Sequence, residues 1–289
     1  MNEILQELVD HLTLLPLEEN RFRGQSQDLG WGTVFGGQVL GQALAAAAQT
    51  VEADRPVHSL HAYFLRVGQV DKPVDYVVDR IRDGRSFTTR RVVAFQDDRP
   101  IFNLSGSFHK SEHGFDHQSE MPDALLPERL ISETELARAV ADLVPEKLKS
   151  RALSPRPIEA RPVLPVNPFQ PKPRRATRMV WYRAAGALPD DTTVHRYLLA
   201  YASDFNFLTT ALQPHGVSWL SSGIRMASLD HAMWFHRPFR MDEWLLHVIE
   251  SPSAFGGRAL VRGQFFNRAG ILVASTAQEG VIRMKDWQA

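Results

Sequence analysis

The 289-residue chain contains no cysteine, and this absence excludes several kinds of chemistry. Disulfides, zinc sites built from thiolates and cysteine nucleophiles all need a residue that the chain lacks. An excess of one charge is missing too, because 33 Lys and Arg balance 33 Asp and Glu. No basic surplus therefore attracts nucleic acid or an anionic membrane. We expect a cytoplasmic protein that binds neither.

Long apolar runs are also absent. The longest purely apolar run is short, as in ALAAAA at 43–48, and no segment could span a bilayer. The chain begins MNEILQELVD, with Glu3 and Glu7 where a secretory signal would carry positive charge.

Familiar catalytic and metal-binding motifs are missing as well. The sequence has no G-x-S-x-G nucleophile elbow and no P-loop. His113 and His117 are four residues apart, but no third ligand is near them, so we predict no metal site and no cofactor. The remaining histidines of interest, His231 among them, suit partly buried polar contacts in strands.

One segment of the sequence occurs twice. HAYFLR at 61–66 resembles HAMWFHR at 231–237, and the offset is 171 residues when Arg66 is aligned with Arg237 (237 − 66). Each copy follows a run with helical spacing of its apolar residues, at 36–51 and 197–212. Each copy also precedes several alternating runs typical of strands. We interpret the chain as two tandem repeats.

Each repeat predicts a long helix followed by antiparallel strands. The helix is apolar on nearly all sides, which suits a helix wrapped by a curved sheet. This is the hot-dog arrangement, so we predict an α+β double hot-dog fold with halves at 1–115 and 155–289. The repeated segments should pair with each other and join the two halves into one continuous sheet.

Residues 116–154 are predicted to connect the two halves. Helical periodicity covers 127–149, and a proline-dense run follows at 151–175. Proline disfavours helix and favours extended chain there. We predict that the run carries one edge strand, near Ile158 to Val163, into the second half.

Two polar residues stand out in the second half. Asp204 lies in the mainly apolar run YASDFNF, where a carboxylate is costly unless it is hydrogen-bonded or exposed. An ordinary explanation is a helix N-cap, which Asp favours. Ser228 lies just before the repeated strand, where a hydroxyl is usually a local hydrogen-bonding group. Neither residue alone defines a function.

Gln278 is a third polar residue in an apolar element, the strand ILVASTAQ. Counting from Ile101 against Ile271, its counterpart in the first half is Phe108. The two copies therefore differ at this position, and simple divergence would explain the difference. If the amide has a function, only the second half carries it, and we expect one site per chain.

Six segments, in their order and spacing, carry a resemblance that spans most of the chain: VFGGQVLGQAL (34–44), VHSLHAYFLRVG (57–68), RDGRSFTTRRV (82–92), YASDFNFLTTALQPHG (201–216), LDHAMWFHRPF (229–239) and ASTAQEGVIR (274–283). Through them the chain resembles the acyl-CoA thioesterase II family of double hot-dog thioesterases. The resemblance implies hydrolysis of fatty acyl-CoA to a free fatty acid and coenzyme A, by a homo-oligomer (dimer or tetramer). It also implies a catalytic trio at Asp204, Ser228 and Gln278 that activates water. Many members have Thr where this chain has Ser228, and the hydroxyl is retained.

Five further residues are candidates for substrate contacts. Gly36 and Gly37 let a ligand approach the backbone closely. Phe64 and Trp234 could line an apolar slot for the acyl chain. His58 is included as a polar candidate, although it also suits a strand contact.

Two other functions are weighed against hydrolysis. A hot-dog enoyl-CoA hydratase typically needs an Asp and a His close together in one loop, but the histidine nearest after DFNF is His215. A non-catalytic acyl-CoA-binding module would usually carry an output segment such as a DNA-binding helix-turn-helix, and the sequence shows none.

Overall fold

The computed structural model describes residues 1–144 and 146–285. Its α-helices are α1 (Glu3–Leu12), α2 (Gly36–Ala48), α3 (Glu133–Ala139), α4 (Glu146–Leu153) and α5 (Thr192–Ser203). The strands of the first half are β1 (Leu15–Glu18), β2 (Arg21–Gly24), β3 (Val57–Phe64), β4 (Val74–Asp83), β5 (Phe87–Gln96) and β6 (Arg99–His109). Those of the second are β7 (Ile158–Pro162), β8 (Thr177–Ala184), β9 (Ile224–Ser228), β10 (Asp230–Phe235), β11 (Leu245–Phe255), β12 (Arg258–Asn267) and β13 (Leu272–Met284).

All of these strands join one antiparallel sheet. The two halves of the chain lie on either side of its centre, and their strands follow the same order from the centre outward. The order is β1-β2-β4-β5-β6-β3-β10-β13-β12-β11-β8-β7, with β9 paired to β13 beside this path. The two repeated segments, β3 and β10, pair with each other at the middle of the sheet. The predicted double hot-dog arrangement is therefore confirmed in its central feature. The predicted edge strand is confirmed as β7.

Helices α2 and α5 pack against each other across the inner face of the sheet. Nearly every residue of α2 is buried, as its apolar sequence predicts. Its glycines allow a very close approach, because a Cβ on Gly37 would lie 2.3 Å from the backbone oxygen of Tyr201. A Cβ on Gly41 would lie 3.2 Å from the backbone oxygen of Tyr197. Two helix backbones thus meet where side chains would keep them apart.

The helix predicted over 197–212 is wrong in its extent. α5 ends at Ser203, Asp204 is its C-cap, and a 3₁₀ helix (Leu208–His215) follows. Between them Asn206 has φ 60°, a left-handed conformation that an α-helix cannot continue. Asp204 is therefore not the N-cap that its sequence context allowed.

The connector packs against the outer face of the second half. Ser132 and Glu135 form a capping box that starts α3. Met121, Ala124 and Leu130 pack on a small apolar cluster around Trp181. The indole Nε1 of Trp181 donates to the backbone oxygen of Leu125 at 2.9 Å. Within residues 1–144 and 146–285, no helix is long and apolar enough to cross a membrane.

Candidate active site

The three residues of the predicted trio lie together. The side-chain amide of Gln278, on β13, donates from Nε2 to Oδ1 of Asp204 at 3.2 Å. The same nitrogen donates to Oγ of Ser228, the last residue of β9. Gln278 is fully buried, whereas Asp204 and Ser228 are half-buried. One amide on β13 therefore connects a carboxylate to a hydroxyl.

Strand pairing explains how Ser228 and Gln278 meet. β9 pairs with β13 so that Ser228 lies opposite Gly280. Gly280 and Gln278 are two residues apart on one strand and share a face. Leu208 fills the space beside Gly280, where a Cβ would lie 2.4 Å from its methyl group. The hydroxyl and the amide are therefore set by sheet register.

Asp204 lies between the C-terminus of α5 and the N-terminus of α2. It caps the C-terminus of α5, where a negative charge is unfavourable, but it faces the N-terminus of α2, which favours one. The backbone amide of Gly37 donates to its carboxylate. Burial nevertheless raises the pKa of Asp204 to about 6, although the hydrogen bonds from Gln278 and Gly37 act in the opposite direction. A carboxylate with this pKa can accept a proton near neutral pH.

Behind the trio lies a polar chain that the sequence analysis did not predict. Oε1 of Gln278 is 3.2 Å from Nδ1 of His231, and Nε2 of that ring is 3.0 Å from Oγ of Ser203. His231 and Ser203 are completely buried. Burial lowers the pKa of His231 to about 4, so the ring is neutral at physiological pH. The available signal was a His at an inward-facing strand position among apolar residues.

Three of the five candidate contact residues lie at the trio. A Cβ on Gly36 would lie 2.7 Å from Oδ2 of Asp204 and 3.0 Å from the ring of Phe64. Gly37 donates its amide to the same carboxylate. These glycines allow close approach to the backbone, and the groups that approach are a carboxylate and an aromatic ring.

The other two candidates, His58 and Trp234, lie apart from the trio, and their contact with substrate stays a prediction. Nε2 of His58 is 2.8 Å from Oγ of Ser107, and its ring packs edge-on against Phe87. A register shift between Val57 and Ser59 places His58 in this separate group. Trp234 lies on β10 with the opposite facing from His231, and its ring contacts His61.

Aromatic side chains form a wall beside Asp204. Phe35 stacks on Phe205 with ring centroids 4.6 Å apart, and both rings meet Tyr201 edge-on. Trp31 extends the wall, with its ring 5.6 Å from that of Phe35. These residues flank the α2–α5 contact.

The first half lacks equivalents of the buried polar residues. The amides of Leu65 and Arg66 bind the backbone oxygen of Ile101. In the second half, the amides of His236 and Arg237 donate to the backbone oxygen of Val273 in the same way. Ile101 and Val273 are therefore equivalent.

Counting from this pair corrects the predicted counterpart of Gln278. Gln278 is five residues after Val273 (278 − 273), and five residues after Ile101 is Gly106, not Phe108. By the 171-residue offset, the counterpart of His231 is Leu60 (231 − 171). The Phe108 ring lies 3.4 Å from where a Cβ on Gly106 would be. The amide and the imidazole are both replaced by apolar residues in the first half.

Family models match both halves of the chain. Residues 149–281 match the family described as acyl-CoA thioesterase, and residues 26–109 match the acyl-CoA thioesterase N-terminal domain. The chain is 43% identical over 286 residues to acyl-CoA thioesterase 2 of Haemophilus influenzae, covering 99% of this chain and 100% of that protein. The chain belongs to the acyl-CoA thioesterase II family.

Solved structures extend the match to the fold of this thioesterase. A crystal structure of an acyl-CoA thioesterase II from Mycobacterium marinum superposes with a TM-score of 0.79 at 38% identity, covering 96% of this chain and 99% of that one. A hot-dog protein of unknown function from Alicyclobacillus acidocaldarius gives a TM-score of 0.76 at 18% identity, covering 96% and 98%. The second likeness shows the fold alone. The family consists of thioester hydrolases, and the double hot-dog fold is shared.

Proposed function

We propose that the protein hydrolyses fatty acyl-CoA to a free fatty acid and coenzyme A with a water activated by Asp204. The observation that carries the proposal is the half-buried carboxylate, which shares one amide with a hydroxyl and has its pKa raised to about 6. A group of this kind is ionised at neutral pH and still basic enough to take a proton in the transition state.

The hydrogen-bond pattern assigns different tasks to the trio. Gln278 has two amide protons, and it directs one to Asp204 and the other to Ser228. The amide therefore holds the other two residues in place. The attacking water donates to the Asp204 carboxylate and accepts from the Ser228 hydroxyl, whose own proton remains available. The second lone pair of the water then faces the thioester carbon.

The N-terminus of α2 offers the stabilisation that the developing oxyanion needs. The first amides of a helix have no partner within the helix, and the helix dipole favours negative charge there. Gly37 directs its amide to Asp204, which leaves Gly36 as the proposed oxyanion donor. The adjacent ring of Phe64 and the Phe35–Phe205 stack supply apolar surface for the acyl chain. Arg90 is buried and donates to Thr50, so it does not face the coenzyme A phosphates.

The pH profile of hydrolysis tests the assigned base. Asp204 must be ionised to accept a proton, so we expect kcat/KM to fall as the pH drops through about 6. Thiol release from a panel of saturated and 2-enoyl-CoA esters measures this directly. Hydration of the enoyl esters without thiol release would identify a hydratase, and binding without turnover would identify a binding module. A profile flat to pH 4.5 would show that Asp204 is not the base.

Two substitutions at Ser228 separate its hydroxyl from its size. Ser228→Ala should lower kcat about tenfold, because one hydrogen bond to the water and the partner of Gln278 are lost. Ser228→Thr should leave kcat within about twofold, because the hydroxyl is kept. Steady-state thiol release at saturating acyl-CoA measures both. Equal rates for the Ala variant and the unchanged protein would remove Ser228 from the mechanism.

A further inference from the structure

We propose that His231 is a positioning residue that fixes which way the side-chain amide of Gln278 faces. The inference rests on the proposed function, because it explains how the trio keeps the orientation that hydrolysis needs. His231 touches neither Asp204 nor Ser228 directly and acts through Gln278.

The Gln278 amide has two possible orientations, and only one suits the site. With its nitrogen forward it donates to Asp204 and Ser228, and its oxygen faces Nδ1 of His231. A half-turn would place the oxygen against the Asp204 carboxylate, where two acceptors repel each other. The group behind the amide must therefore be a donor if the forward orientation is to be held.

His231 can be that donor only in one tautomer. A neutral imidazole carries one proton, and a proton on Nδ1 can be donated to Oε1 of Gln278 across 3.2 Å. Nε2 is then an acceptor, and the Ser203 hydroxyl lies 3.0 Å from it. Ser203 also lies 2.8 Å from the backbone oxygen of Ala200, to which it donates in the opposite tautomer. The charge on Asp204 favours the first arrangement, which runs from Ser203 through His231 to Gln278.

The titratable groups around His231 support a neutral ring. Burial lowers the pKa of His231 to about 4, and burial also lowers the pKa of the neighbouring His247 well below its usual value. The ring of Phe207 packs against both imidazoles. Asp204 is the carboxylate on the far side of Gln278. At the pH where Asp204 is ionised, His231 therefore carries a single proton and has a defined tautomer.

The first half of the chain supplies an internal comparison. Leu60 occupies the position equivalent to His231, and Gly106 occupies that of Gln278, so both polar groups are missing together. Leu60 is completely buried in the same kind of strand position. An apolar residue therefore satisfies packing at this place in the fold, and the histidine accompanies the amide.

Substitutions at His231 distinguish positioning from packing. In His231→Asn, the side-chain nitrogen can occupy the place of Nδ1 and donate to Gln278. In His231→Gln, the longer side chain places its amide where Nε2 of the ring was. It keeps the hydrogen bond with Ser203 and loses the one with Gln278. We expect kcat of the Asn variant within about threefold of the unchanged protein, and losses of about 10- to 100-fold for His231→Gln and His231→Leu, with KM little changed.

The pH profile supplies a readout that a purely structural role would not move. The hydrogen bond from Gln278 lowers the pKa of Asp204, so losing it should shift the acid limb of kcat/KM to higher pH in the Gln and Leu variants. Equal kcat for the Asn and Gln variants, or an acid limb that stays in place, would overturn the inference. If the Leu variant does not fold, the comparison of the Asn and Gln variants still distinguishes positioning from packing. Asp204→Asn is assayed in parallel, since its full activity would overturn the proposed function itself.

Discussion

Replacing Asp204 with Asn should lower turnover by about two to four orders of magnitude, the usual contribution of a general base. The substitution is nearly isosteric, and the amide oxygen at the place of Oδ1 can still accept from Gln278. What is lost is the basic oxygen that takes the proton from water. Thiol release from several acyl-CoA chain lengths, at saturating substrate, measures the effect on kcat.

Stability provides the control for this variant. The pKa of Asp204 is higher in the folded chain, at about 6, than its ordinary value of 3.8. The folded state therefore holds the proton more tightly, and this residue reduces stability as the pH rises from about 4 to above 6. Asp204→Asn removes that penalty, so its melting temperature at pH 7.5 should be unchanged or higher. Full activity on several esters, with the fold intact, would show that Asp204 is only a structural cap.

Much of the fold was predictable because it depends on periodicity and repetition. The repeated segments at 61–66 and 231–237 predicted the β3–β10 pairing at the centre of the sheet. The apolar run of α2 predicted a buried helix. The end of α5 was not predictable in this way, because Asn206 in a left-handed conformation interrupts a sequence whose apolar spacing continues to Leu212. Local backbone geometry, and not hydrophobic pattern, ends that helix.

Residues of the site were predictable to different degrees for a physical reason. The trio emerged from the family resemblance and from polar residues in apolar elements, and the structure brings it together through Gln278. Trp234 lies on the face of β10 opposite to His231, and alternation alone does not say which face of a strand meets the helices. A buried histidine looks the same in the sequence whether it fills space or orients an amide. Only the hydrogen bonds on both ring nitrogens separate these roles.

Backbone hydrogen bonds define the equivalent positions of the two halves. Aligning Ile101 with Ile271 placed Phe108 opposite Gln278, but the shared pattern at Ile101 and Val273 moves the match to Gly106. The extra residue in each strand lies at a bulge, between Ala94 and Phe95 on one partner strand and between Phe265 and Phe266 on the other. Both halves share this bulge, at Ile101 and at Val273, so the miscount comes from pairing Ile101 with Ile271, which holds a different position in its strand.

The second large effect is expected from Gln278→Ala. The substitution removes the donor to Asp204 and Ser228 and the acceptor of His231 at once, and it leaves a small polar cavity behind the carboxylate. We expect kcat to fall about 10- to 100-fold, since the base and the hydroxyl remain but are no longer held in register. Loss of the hydrogen bond should also raise the pKa of Asp204, so the acid limb of kcat/KM should move to higher pH.

A destabilised variant outside the site separates this loss from general weakening of the fold. Phe108→Leu alters a fully buried ring in the half without the trio, and a core change of this kind costs on the order of 1 kcal/mol. It should lower the melting temperature or alter acyl-chain fit while leaving kcat and the acid limb unchanged. Gln278→Ala should lower kcat and shift the acid limb of kcat/KM even if it lowers the melting temperature no more than Phe108→Leu does. If the two variants lose kcat in equal proportion, Gln278 supports the fold and does not position the base.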